Sequence, residues 1–448
     1  MKAYILLIGS CALNLLSCGL VHSFPTAENL AKLVQHNALD GSEVSSEGLH
    51  ESLLRLKKKK RLFFDPMTTP IDVTGIHTFQ APDFENGDQR GPCPGLNALA
   101  NHGYISRDGI AGFFEVIAAV NQVYGMGIDL ITVLAVMGTV GVGNPLSLTP
   151  GFSIGGKSHK ANNILGNLLG LLGTPRGLDG AHNWIESDSS NTRDDLYVTG
   201  DASTMNMTLF WEAYNSSDNE FLSMDDIGAR AAKRFQESIS TNPNFYYGPY
   251  TGMIARNAGY AFTGRILSNH TKENPMGGHL TKDVFASFYA VYEENGQLVY
   301  RKGHEQIPAN WYRRPIDYGL VELNLDLVAW FLRYPILASI GGNLGSVDNF
   351  AGLDLEDITG GVLNATSLLE ENNLVCFVLE IVKTFAPNSL SSLFRTLEAP
   401  LKLVTDAVLD PLLSLNCPAF KDLTMDGTDL LSGLLGKYPG ASRSGVAF

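Results

Sequence analysis

The sequence predicts a mainly α-helical fold, one large helical domain with few short strands. Three observations lead there. Apolar residues recur at the three- and four-residue spacing of a helix face in stretch after stretch. Period-two alternation is confined to short runs such as LVYR at 298–301. No internal repeat and no shift in composition divides the chain between residues 62 and about 420.

The first helix is expected from Pro94 to His102. Leu96, Leu99 and Ala100 share one face, Pro94 suits the first helical position, and Gly103 suits the left-handed stop that follows. Cys93 is then the N-cap. The same periodicity predicts helices over Gly112–Tyr124, Ile128–Val140, Ile227–Ser238, Gly259–Leu267, Lys282–Tyr292, Asn324–Arg333, Ser367–Phe385 and Ser389–Thr405. Between Gly141 and Asn183 runs a long glycine-rich stretch; loops of that length in a compact domain are functional or disordered.

Lys2, the apolar run Tyr4–Leu20 and the small residues up to Ser23 read as a secretory signal peptide over 1–23. The basic run in LRLKKKKRLFFDP is either a solvated face or a dibasic processing site at Lys60-Arg61, which would make 24–61 a propeptide. The main domain is expected over 62–420, followed by a C-terminal tail over 421–448. No later segment has the eighteen or so uncharged apolar residues of a membrane span. A net charge of −14 argues against a nucleic-acid partner. N-glycosylation sequons stand at Asn206, Asn215, Asn269 and Asn364. The expected product is a secreted, extracellular glycoprotein; nothing in the sequence speaks to its oligomeric state.

Removing the signal peptide leaves three cysteines: Cys93, Cys376 and Cys417. Pairing Cys376 with Cys417 would pin the tail and contribute on the order of 3 to 4 kcal/mol. Cys93 is left over. Amides of a helix N-terminus favour an anion, so its thiol is expected to have a lowered pKa. Such a thiolate can be a nucleophile, a disulfide half or a metal ligand, haem iron included. A cysteine hydrolase needs a partnered histidine, and His182, His279 and His304 cannot be placed beside Cys93 from sequence. The F-x-x-G-x-R-x-C-x-G signature of P450 enzymes is absent.

The fifteen residues from Arg90 to Tyr104, RGPCPGLNALANHGY, resemble the proximal motif of the secreted fungal haem-thiolate peroxidases, the chloroperoxidase and unspecific peroxygenase family. Glu186–Arg193, ESDSSNTR, resembles that family's E-[G/H]-D-x-S-x-x-R motif, with Ser187 in place of Gly or His. The resemblance continues through STNPNF at 240–245 and GHEQIPANWYRRP at 303–315, over roughly 76–417. It implies haem b with Cys93 as axial ligand, and a magnesium or manganese ion beside a haem propionate. That ion would be held by the Glu186 carboxylate, the Ser187 carbonyl and the Ser190 hydroxyl, all hard oxygen donors.

One departure falls on the distal side. The family's acid–base glutamate aligns with Ala258 or Gly259 in IARNAGYAFTGRIL, where no carboxylate stands. Arg256, Asp283 and His279 are the substitutes considered, and Phe262 matches a pocket phenylalanine of the family. The resemblance implies a peroxidase or peroxygenase that uses hydrogen peroxide, through a ferryl intermediate, to oxidise or oxygenate a small organic substrate, or a halide. The alternative is a secreted haem-binding glycoprotein of the same fold with little turnover.

Overall fold

The computed structural model describes residues 65–144, 150–161, 175–359, 362–364, 367–370, 423–425 and 427–443, with isolated positions between 373 and 380. The expected signal peptide and propeptide, the two helices beyond Asn373 in their greater part, and Cys417 lie outside these residues. Within them the protein is mainly helical.

In chain order the helices are α1 (Pro94–Asn101), α2 (Phe113–Tyr124), α3 (Ile128–Gly141), the short α4 (Leu196–Thr199), α5 (Met207–Tyr214), α6 (Met224–Thr241), α7 (Asn257–Arg265), α8 (Lys282–Phe288), α9 (Leu320–Arg333), the short α10 (Leu355–Ile358) and α11 (Leu430–Lys437). Strands are two to four residues long and antiparallel. β1 (Ile110–Gly112) pairs with β2 (Gly151–Ser153), β3 (Phe221–Leu222) with β5 (Leu280–Thr281), and β6 (Val291–Glu294) with β7 (Gln297–Tyr300). β4 (Tyr246–Tyr247), β8 (Gly341–Asn343) and β9 (Phe350–Gly352) form the one three-stranded sheet among the described residues.

The ends of these helices follow their capping chemistry. α1 begins at Pro94 with Cys93 as N-cap, and Gly103 takes φ 65° just beyond it. α6 starts three residues before its apolar stripe because Ser223 and Asp226 form a reciprocal box: Asp226 N donates to Ser223 Oγ, and Ser223 N to Asp226 Oδ2. α5, absent from the sequence reading, is capped by Asn206, whose Oδ1 accepts from Thr208 N and Leu209 N.

The expected helix Lys282–Tyr292 is corrected. α8 ends at Phe288, Ala290 takes φ 57°, and the chain enters a β6–β7 hairpin turning on Asn295 and Gly296, both at positive φ. Asn-Gly is the strongest two-residue hairpin signal; the apolar periodicity of 284–292 masked it. Ahead of α7, residues Thr251–Arg256 form a wide turn in which Met253 N donates to Gly248 O and Ala255 N to Tyr250 O. Such i→i+5 turns gather at functional sites.

α2 packs on α3, and α7 lies against both α6 and α9, so the helices enclose one continuous apolar core. The described part of the expected tail belongs to this body. Leu430, Leu434 and Tyr438 are buried, and Tyr438 Oη donates to Ala351 O on β9.

Candidate active site

The Cys93 loop is fixed from three directions. Asn97, one turn into α1, accepts from Gly91 N at 3.0 Å and donates to Gly91 O at 2.9 Å, closing the loop on its own helix. The same carboxamide donates to Glu305 Oε1 at 2.9 Å. Asn101, a turn further on, donates to the carbonyls of Gly303 and Glu305 and accepts from Arg90 Nε. The GHEQIP segment is thereby laced to the helix that carries the cysteine. Gly91 is required by this packing, since a Cβ there would stand 2.1 Å from Ile154 O.

Cys93 is a free cysteine, half-buried, at the N-cap of α1, where its side chain makes no capping hydrogen bond. The expected lowering of its pKa is corrected. Burial dominates and pushes the thiol up, while Leu96 N, the Arg193 guanidinium and Gly95 N pull the other way. The N-terminal amides assist an anion here without making the bare thiol acidic.

Arg193 ties this loop to the second motif. Its guanidinium lies over the Tyr289 ring at 5.6 Å, and Tyr289 Oη shares a 2.9 Å hydrogen bond with Thr263 Oγ1 on α7. The Cys93 loop, the ESDSSNTR motif and α7 thus meet around Tyr289.

The loop 182–195 is dense in buried polar groups. His182 Nδ1 lies 2.6 Å from Glu186 Oε2, and its Nε2 3.8 Å from Asp188 Oδ1. Burial opposes charge on this ring, but Glu186 and Asp188 outweigh it and lift His182 to about 9. Asp188, buried and close to Asp195, is pushed well above the ordinary carboxylate range. Asp195 accepts from Ser189 N at 2.7 Å and from Asn242 Nδ2 at 3.0 Å, and pairs with Arg234. Asn242 belongs to STNPNF, which explains that motif's presence. Asn183 and Ser189 are held in the left-handed region at φ 58°.

Of the eighteen buried side-chain N and O atoms without a partner among the described residues, seven lie between His182 and Asn191. They include Glu186 Oε1, Ser187 Oγ and Ser189 Oγ. Buried polar atoms left without hydrogen bonds cost about 1–3 kcal/mol each, and two of these seven, His182 Nε2 and Asp188 Oδ1, face each other at 3.8 Å. Ser190 Oγ accepts from Arg193 N at 3.3 Å. Among the described residues no group of three or more His, Cys, Asp or Glu could hold a metal ion. The expected set of Glu186, Ser187 and Ser190 has a single carboxylate and relies on carbonyl and hydroxyl oxygens.

Ala258 and Phe262 both line an apolar cavity between α3, α7 and α9, together with Leu130, Val133, Tyr250 and Leu323. The Tyr250 hydroxyl is buried and has no hydrogen-bond partner among the described residues. Arg256 is not part of that lining: its Nε and Nη2 donate to Ser189 O at 3.0 and 2.9 Å, Nη2 also to Ala231 O, and it stacks on Tyr260 at 4.4 Å. It braces the orphan-rich loop instead. His279 and Asp283 are exposed, the first against the Phe221 ring and the second in the first turn of α8. Neither reaches the cavity wall.

A profile of peroxidase family 2 matches residues 77–316, which takes in the Cys93 loop, ESDSSNTR and α7. The chain belongs to this family. An aromatic peroxidase of Fusarium equiseti is 56% identical over 425 residues, covering 94% of this chain and 95% of the relative. A dothistromin biosynthesis peroxidase of Dothistroma septosporum is 38% identical over 388 residues, 86% of this chain and 91% of the relative. An aromatic peroxygenase of Cyclocybe aegerita is 28% identical over 326 residues, 70% and 75% of the two chains. The protein is therefore an oxidoreductase that uses peroxide to oxidise organic substrates.

Three residues of this peroxidase site escaped the sequence reading. His182 was only an unplaced histidine, although its spacing of four from Glu186 on a buried segment was a usable signal. Glu305 stood within GHEQIPANWYRRP but without a role, and Tyr289 gave no signal, because their relation to Cys93 is entirely tertiary.

Proposed function

We propose that Cys93 is the axial thiolate ligand of haem b, that Glu186, Ser187 and Ser190 hold a magnesium or manganese ion beside a propionate, and that the Ala258–Phe262 cavity receives the organic substrate. A haem bound there would supply peroxide O–O cleavage favoured by sulfur donation. The observation that carries the reading is a free, half-buried cysteine on a loop that Asn97 and Asn101 immobilise, beside a family-2 motif rich in unsatisfied oxygens. Of the proposed donors, Glu186 Oε1 is a buried carboxylate oxygen with no hydrogen bond among the described residues, the kind of oxygen a hard cation takes.

This chain's own residues orient and exclude. Leu96 N and Gly95 N stabilise negative charge on Sγ. The apolar wall keeps water and hydrated halide away, since an ion entering it would lose its hydration without a partner; oxidation of organic molecules is favoured over halide oxidation. Among the described residues no carboxylate lines the cavity at Ala258, so peroxide cleavage without the family's proton carrier there is expected to be slow. We also propose that the protein is secreted through its N-terminal leader and glycosylated, with Cys376 and Cys417 paired.

The test is the reduced carbon monoxide difference spectrum of the purified protein. A sulfur-ligated iron absorbs far to the red of an imidazole-ligated one, and a colourless preparation from haem-replete cells overturns the assignment. Ala258→Glu then asks whether the cavity is the peroxide face: cleavage of peroxide accelerates about 100-fold, and an unchanged rate sinks that placement.

A further inference from the structure

We propose that the surface groove beside α5 is the seat of an N-linked glycan attached at Asn215. The groove has a volume of about 570 Å³ and is lined by Thr208, Trp211, Glu212, Asn215, Arg230 and Lys233. Asn215, in the sequon Asn215-Ser216-Ser217, sits at its rim as the C-cap of α5.

The four sequons differ in what their carboxamides already do. Asn206 caps α5 and donates to both oxygens of Asp194 at 3.0 Å. Asn269 Oδ1 accepts from Tyr312 N, and Asn364 Oδ1 from Ser367 N. Asn215 is exposed and its carboxamide is uncommitted.

Trp211 lies four residues before Asn215, one turn back on the same face of α5. Its side chain is 40% exposed, with the ring meeting Tyr214 edge-on at 5.6 Å. A pyranose ring presents a C–H face that covers an indole, and a sugar tethered at Asn215 needs only to fold back along the helix to reach it. Beside it the exposed Lys233 pairs with Glu212 at 2.9 Å, and this ammonium and carboxylate are polar partners that sugar hydroxyl and acetamide groups can reach.

The inference rests on the secretion reading above, because the sugar is added in the secretory pathway. There the Asn215 Nδ2–C1 bond to N-acetylglucosamine forms, the C1–O bond to a lipid pyrophosphate carrier breaks, and the amide loses one proton as the carrier leaves.

The full chain is expressed with its own leader in a fungal host, and its peptides are mapped by mass spectrometry after glycosidase release in heavy-oxygen water. Label at Asn215 is expected. Label at other sequons with none at Asn215 overturns the proposal and leaves secretion standing; label nowhere overturns both. Trp211→Ala then tests the seat. Glycan release from the native variant is expected to be several-fold faster than from wild type, with peroxidase activity unchanged. Deglycosylation lowers Tm by about 2 °C in wild type and not in Trp211→Ala. Equal release rates with no difference in Tm place the sugar in solvent and overturn the seat.

Discussion

The segment from Arg90 to His102 and the segment from His182 to Asp195 are both buried and polar, yet they are finished to different degrees. In the first, no buried side-chain atom lacks a partner: Arg90, Asn97 and Asn101 spend their donors and acceptors on Gly91, Gln89, Arg107, Gly303 and Glu305. In the second, seven buried atoms are unpaired and two residues sit at positive φ without being glycine. One is scaffold, complete as a chain. The other is the proposed socket, where six oxygens and one nitrogen have no hydrogen-bond partner among the described residues. Rigidity and readiness are thus divided between two motifs that meet at Arg193 and Tyr289.

Mutations can break this division, and the largest effect belongs to Cys93→Ala. It removes the one group that the finished segment exists to present. Its sulfur-ligated spectrum and peroxidase activity are expected to vanish while circular dichroism stays unchanged; a pigmented variant with wild-type optical properties refutes the ligand assignment. Second is His182→Ala. Partners that orient a metal-binding carboxylate typically govern affinity by roughly 10- to 100-fold, and manganese titration followed by electron spin resonance should show a loss of that size. Asn97→Ala serves as the control, because it touches only the scaffold.

In that control the expected loss is in stability. Gly91 N and Glu305 Oε1 lose their hydrogen bonds, which costs about 2–4 kcal/mol in a denaturant titration. If Asn97→Ala abolishes manganese binding while leaving stability intact, the two segments have been assigned the wrong way round. The smallest effect is on the pH profile. Burial raises the Glu305 pKa above its ordinary 4.5. Its contribution to stability is therefore full below 4.5 and lost as pH rises through the raised value. Glu305→Gln should flatten the melting temperature over that window, and an unaltered slope shows that Glu305 does not titrate with folding.

The scaffold was more legible from sequence than the socket, for a physical reason. α1 is specified locally: Pro94 at its start, Gly103 at its stop and three apolar residues on one face. ESDSSNTR could be found as a string, but its chemistry depends, besides its neighbour His182, on Arg234, Arg256 and Asn242, which arrive from elsewhere in the fold. The same holds for the distal side. The missing carboxylate at Ala258 was readable, whereas the turn of Arg256 towards Ser189 O was not, since a guanidinium's direction is decided by tertiary carbonyls. The β6–β7 hairpin was legible in Asn295-Gly296 and was hidden by a competing helical stripe.

Residues 438–443 close on this loop from far along the chain. Asn183 Nδ2 donates to Gly440 O, Tyr197 Oη donates to Arg443 O, and Arg443 stacks on Tyr197, whose ring meets His182 edge-on. A Cβ at position 440 would stand 2.0 Å from Asn244 O, so the fit is close. The loop around Glu186 is therefore not finished by its own neighbours: it is fastened by a residue 257 positions away, and a bulkier side chain at position 440 would loosen it without touching any residue of the loop.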